Sequence, residues 1–133
     1  MAVVPLDADP GTVREATQLQ ARMLGATPDE DQAAREIVVA VLAHPLMARA
    51  RAASAAGRCR RETPVAGVGP DGMLLEGVLD LAFEDDEAWT VVDFKVAAEL
   101  AGALERYRRQ VGVYASIVRR ATGRDVRAVL MRV

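Results

Sequence analysis

Lysine is almost absent from this chain. Lys95 is the only one, against sixteen arginines, and a codon bias toward arginine accounts for most of that imbalance. It does not account for the one position where an ammonium was kept in place of a guanidinium, a compact point charge in place of a broad planar fork. Cysteine is equally scarce. The single Cys59 excludes an internal disulfide and a cysteine-based zinc site, and fits a reducing compartment. There is one histidine, His44, and aromatics make up 4% of the residues, so a core must be built mainly from Ala, Val and Leu. No run approaches the roughly 18 apolar residues of a membrane span, and no signal-peptide pattern opens the chain. The expectation is a soluble, cytoplasmic protein with no membrane partner. A Gly-x-x-x-x-Gly-Lys-Ser/Thr loop is also missing, which excludes ATP-driven motor activity from these residues.

What is present fits one domain over residues 1–133, large enough for a single core. Residues 1–57 read as helices. Val13, Ala16, Leu19, Met23 and Leu24 recur at helical spacing over 11–24, and Gly25 is placed to end that helix. Thr27-Pro28-Asp29-Glu30 has the form of a capping box with proline at the first helical position. This second helix is expected to run to about Ala43, and Pro45 then forces a break before a shorter helix over 45–56. Residues 58–133 change character. A strand is expected over 58–66, a turn over Gly67 to Gly72 around Pro70-Asp71-Gly72, and a strand over 73–83. Period-two alternation puts Met73, Leu75, Leu79, Leu81 and Phe83 on one face, and Glu76, Val78 and Asp80 on the other. Glu84-Asp85-Asp86-Glu87 is short enough to close an antiparallel hairpin onto 88–95, and reads as a solvated turn rather than a metal site. A helix over about 99–121 with Leu100, Leu104, Tyr107, Val111, Tyr114 and Val118 on its apolar stripe, then a strand over 125–133, complete the chain.

The chemistry concentrates on the hairpin. Asp93 and Lys95 share one face of their strand, and Asp80 lies thirteen residues before Asp93. If the paired faces coincide, two carboxylates and one ammonium converge. Hard oxygen donors of this kind suit Mg²⁺ or Mn²⁺, and an ammonium beside them can steady charge on a phosphate. An Asp-x-Lys triplet alone is more often a solvent-facing ion pair. Two neighbours shift the balance: Asp80 stands between Leu79 and Leu81, where a carboxylate without a role is costly, and Gly77 removes a side chain from mid-strand. Gln110 and Tyr114 lie one helical turn apart on the next helix, on a side able to face the sheet. Tyr114 also reads as simple core packing, and Gln110 as an exposed polar residue. Net charge is −2, so nucleic-acid binding would rest on local clusters such as Arg58, Arg60 and Arg61, or the arginines of the C-terminal third.

Arg61-Glu62-Thr63-Pro64, Glu76-Gly77-Val78-Leu79-Asp80-Leu81, Val91-Val92-Asp93-Phe94-Lys95 and Tyr107-Arg108-Arg109-Gln110-Val111-Gly112-Val113-Tyr114, in that order, resemble the RecB/AddA-type PD-(D/E)XK nuclease module found at the C-terminus of UvrD-like helicases. The resemblance covers nearly the whole chain. It implies an α/β fold with a restriction-endonuclease-like core, a mixed central sheet of about four strands flanked by helices. It further implies a Mg²⁺- or Mn²⁺-dependent deoxyribonuclease, more exonuclease than endonuclease, acting on DNA in double-strand-break repair and recombination beside a helicase. Asp80, Asp93 and the Phe94 carbonyl would ligate the metal, with Lys95 and Gln110 catalytic, Tyr114 accessory, and Glu62 a supporting or substrate-side group; Glu76 is a weaker candidate.

The chain departs from that pattern at one point. The family carries a further ligand histidine in an early helix, whereas His44 sits in Leu42-Ala43-His44-Pro45-Leu46, a context matching a helix end better than a ligand. The opening Ala2-Val3-Val4-Pro5-Leu6-Asp7 resembles the family segment on the C-terminal side of that histidine. The chain is therefore expected to be a fragment of a larger helicase-nuclease that starts just past it, through truncation or natural loss. An exposed, shortened first helix would favour self-association. The alternatives are a catalytically impaired DNA-end-binding or scaffolding module with the same fold, and a small structural domain whose acidic pair is incidental.

Overall fold

The computed structural model describes residues 4–69, 71–86 and 88–133. Expectations that fell on Met1–Val3, Pro70 and Glu87 lie outside these. The chain divides into two compact units, Met1–Ala52 and Ala53–Val133.

In the first unit, α1 (Pro10–Leu24) begins at Asp9, whose side chain accepts the Thr12 N–H at 2.8 Å, and ends at Gly25 in the left-handed region with φ 67°. Only glycine adopts that conformation without a Cβ penalty, so the helix stops there. α2 (Pro28–Ala43) opens with the full capping box: Thr27 Oγ1 accepts the Glu30 N–H at 3.2 Å, and Glu30 accepts the Thr27 N–H at 2.7 Å. α1 and α2 pack through Val13, Val38 and Leu42, with Val4 beside them and Ala8 and Ala16 at the margin. The buried stripe of α1 therefore runs through Val13 and Thr17, while Leu19, Met23 and Leu24 are exposed, against the expectation from spacing. Periodicity identified the helix, but the residues toward its C-terminal end fall off the face that meets α2. Arg51 Nη1 donates to the carbonyls of Leu42 (2.8 Å) and Leu6 (3.4 Å), tying α3 (Pro45–Ala55) to the rest of this unit.

The second unit is a four-stranded mixed sheet ordered β1-β2-β3-β4, built from β1 (Cys59–Val68), β2 (Leu74–Glu84), β3 (Trp89–Lys95) and β4 (Val126–Arg132). β1, β2 and β3 pair antiparallel, and β4 joins β3 in parallel. Parallel pairing needs a crossover, and α5 (Leu104–Thr122) supplies it. The helix expected over 99–121 is broken: α4 (Ala97–Leu100) ends, Gly102 turns with φ 70°, and α5 starts afresh. Val111, Tyr114, Ala115 and Val118 of α5 cover Leu79, Ala82, Val91 and Val126 of the sheet. Each fully buried Val or Leu in such a cluster contributes about 1.5–3 kcal/mol. The acidic turn is a structural cap: Asp85 accepts the Ala88 N–H, while Arg124 bonds Glu84 at 2.9 Å and reaches the carbonyls of Asp85 and Asp86.

Candidate active site

Strand alternation on β2 changes phase at the point that matters. Leu79 and Ala82, three residues apart, both lie in the cluster beneath α5, so the two faces exchange between them, at Asp80–Leu81. Leu81 and Phe83 thus part company with Leu79, although period two assigned all three to one face. Opposite, on β1, the ladder pairs Arg61 with Leu81 and Thr63 with Leu79 but skips Glu62, which has φ 43° and falls across from Asp80. A non-glycine residue in the left-handed region is strained, and here the strain marks the place where the ribbon rolls over.

On the other side, the β2–β3 ladder ends at Leu81–Val92, and continuing its register sets Asp80 across from Asp93. The two strands are joined beside this pair, because Asp80 Oδ2 accepts the Phe94 N–H at 2.9 Å. In a strand the N–H and C=O of one residue point to the same side, so the Phe94 carbonyl is also directed toward the β2 side, beyond the end of the ladder. Lys95 closes the group, with Nζ 3.0 Å from Asp93 Oδ2.

Burial and the adjoining Asp80 carboxyl push the Asp93 carboxyl up to about 6, and the Lys95 ammonium only partly offsets them. Asp93 is 5% exposed, and its Oδ2 has the ammonium as an ionic neighbour but no well-directed hydrogen bond. Two carboxylates brought together at a cost, with one buried oxygen met by the Lys95 ammonium but by no well-directed hydrogen bond, form a donor set that a hard divalent cation would satisfy. For Lys95, burial acts to lower the pKa. The hydrogen bond and charge of Asp93, then the charges of Asp80 and Glu99, outweigh it and raise the pKa, so the side chain is an ammonium.

From α5, Gln110 Nε2 donates to the Tyr114 hydroxyl at 3.1 Å. That hydroxyl and its ring lie over Gly77, where a Cβ would overlap the hydroxyl oxygen and come within 2.7 Å of Cε1 and Cζ. The mid-strand glycine is there to admit Tyr114.

The sequence profile of the PD-(D/E)XK nuclease superfamily matches residues 5–133. The chain belongs to this superfamily. No curated protein matches it. Members of the PD-(D/E)XK nuclease superfamily are generally nucleases, which implies DNA binding, and the mixed four-stranded α/β sheet agrees with the superfamily's fold.

Within this PD-(D/E)XK domain, Asp80, Asp93, Phe94 and Lys95 come together, Glu62 adjoins Asp80 by register, and Gln110 is linked to Tyr114. Glu76 does not join them. It is exposed, paired with Ala66, and four residues out along the ribbon, about 13 Å from Asp80. His44 lies in the first unit at the junction of α2 and α3, where its Nδ1 accepts the Leu46 N–H at 3.0 Å and its carbonyl accepts the Met47 N–H. Sequence reasoning placed Tyr107 on an apolar stripe and missed its position. Its ring centroid is 5.0 Å from Lys95 Nζ and 5.1 Å from the Arg106 guanidinium carbon. The signal available was the Tyr-x-x-Gln spacing, which sets Tyr107 one turn before Gln110.

Proposed function

We propose that this chain hydrolyses phosphodiester bonds in DNA with Mg²⁺ or Mn²⁺ held by Asp80, Asp93 and the Phe94 carbonyl. The observation that supports this most is the buried, under-bonded Asp93 oxygen, raised in pKa beside Asp80 and faced by the only lysine. Such a cation polarises a phosphoryl group and lowers the pKa of a water. The chain's own groups do the rest. Lys95 presents an ammonium to charge developing on the phosphate oxygens. Gln110, fixed through Nε2 on the Tyr114 hydroxyl, keeps Oε1 as an acceptor able to orient a water. Glu62, across from Asp80 by register, serves as a supporting or substrate-side group.

The wider reading extends the RecB/AddA resemblance: an exonuclease acting in the cytoplasm on DNA double-strand breaks, with unwinding supplied by a UvrD-type helicase domain or subunit. Digestion of linear DNA with Mg²⁺ or Mn²⁺, against a Lys95→Ala control, tests the core claim. Cleavage that needs metal and is lost in the control supports it, and a covalently closed circle left intact would mark an exonuclease.

One observation favours a second reading. Among the described residues no group of three or more His, Cys, Asp or Glu side chains is arranged to hold a metal ion. A DNA-end-binding module with weak or no metal affinity accords with that. It would show salt-sensitive DNA binding without cleavage.

A further inference from the structure

Lys95 carries a four-carbon stem with free rotation, and it is the last residue of β3. A charge on such a stem is useful to a reaction only if something fixes it. Asp93 Oδ2, at 3.0 Å, is one anchor. It is a conditional one, since the same oxygen is a metal-facing donor in the function proposed above, and a dication held there would repel an ammonium alongside. The Tyr107 ring is the second anchor, with its centroid 5.0 Å from Nζ. That distance lies inside the roughly 6 Å range over which the negative face of an aromatic ring attracts a cation. The attraction comes from the ring quadrupole and does not depend on the charge state of either carboxylate. Tyr107 is half-buried in the first two turns of α5, so its backbone is set by the helix that also carries Gln110 and Tyr114. Arg106 lies against the same ring, with its guanidinium carbon at 5.1 Å and Nη2 3.4 Å from the hydroxyl, a further restraint on the tyrosine.

We propose that Tyr107 is a positioning residue: its ring holds the Lys95 ammonium in place when Asp93 is engaged elsewhere. The inference rests on the nuclease reading for its catalytic meaning, while the cation–ring contact is measurable without it. Because Lys95 is the only lysine, a protein grown on ¹³C-lysine gives one unambiguous set of side-chain signals. The ring should move the Lys95 Hε protons upfield of the ordinary lysine position, with and without Mg²⁺. Tyr107→Leu should return them to it, and Tyr107→Phe, which keeps the ring, should preserve the shift. On linear DNA, Tyr107→Leu should lower kcat about five-fold with little change in KM, as expected for a modest cation–ring attraction, and Tyr107→Phe should restore it. Hε protons at the ordinary position in the unaltered protein overturn the inference without recourse to any variant. An upfield shift that survives in Tyr107→Leu also overturns it, as does an unchanged kcat in that variant. If the unaltered protein shows the shift but cuts no DNA, the nuclease reading falls and the cation–ring contact stands.

Discussion

Asp93 is where folding and the proposed function conflict. Its carboxyl titrates at about 6 in the folded chain against 3.8 for an ordinary aspartate. The folded state thus favours the protonated form. That stabilisation is complete below about pH 4 and is lost as pH rises through about 6. Two pH units at ~1.4 kcal/mol each give a ceiling near 3 kcal/mol. Asp93→Asn should therefore be more stable than the unaltered metal-free protein at pH 8, and the advantage should shrink toward pH 4. Urea midpoints at three pH values check this, and parallel profiles would count against it. Gly77 makes a second residue-scale case. A methyl there overlaps the Tyr114 hydroxyl and ring, so Gly77→Ala should cost roughly 1–3 kcal/mol, with part of the loss recovered when Tyr114→Phe removes the oxygen. The convergence of Asp80, Asp93 and Lys95 was legible because period-two alternation carries across a hairpin. The exchange of faces at Asp80–Leu81 was not, since nothing in Leu79-Asp80-Leu81 marks a change of phase and its partner strain sits on Glu62.

Elements were legible where local chemistry decides them. Thr27 and Glu30 satisfy each other's backbone donors within four residues, so no distant contact can override the start of α2. Thr27→Ala should cost about 1 kcal/mol, read as a lower denaturant midpoint, and Thr27→Ser should retain most of it. The break between α4 and α5 was less visible. Gly102 lies inside a continuous apolar pattern, and only its left-handed φ of 70° shows that it ends one helix before the next begins. The same gap explains why α5 presents Tyr107 in its opening turns. Burial on α1 was illegible for a different reason. Leu19, Met23 and Leu24 obey the helical period, but burial depends on where α2 lies, which is a tertiary fact.

At the scale of the molecule, each unit has its own apolar cluster, and the proposed catalytic groups Asp80, Asp93, Lys95 and Gln110 all belong to Ala53–Val133. The capacity to bind a divalent ion should then be separable from the stability of the helical unit. In the proposed function Mg²⁺ is held in the folded state by carboxylates that the unfolded chain does not hold together, so on that proposal it should raise the melting temperature of the unaltered protein, increasingly so above pH 6, where Asp93 gives up its proton. Asp93→Asn should abolish that increase while melting higher than the unaltered protein without metal. Val38→Ala, in the α1–α2 cluster, should lower the melting temperature through a loss of roughly 1–3 kcal/mol yet keep the same Mg²⁺ increment. Melting curves of the three proteins at pH 8, each with and without Mg²⁺, provide the comparison. A Val38→Ala protein that melts cooperatively but has lost the increment would mean that the helical unit helps shape the metal site, and the site could no longer be assigned to residues 53–133 alone.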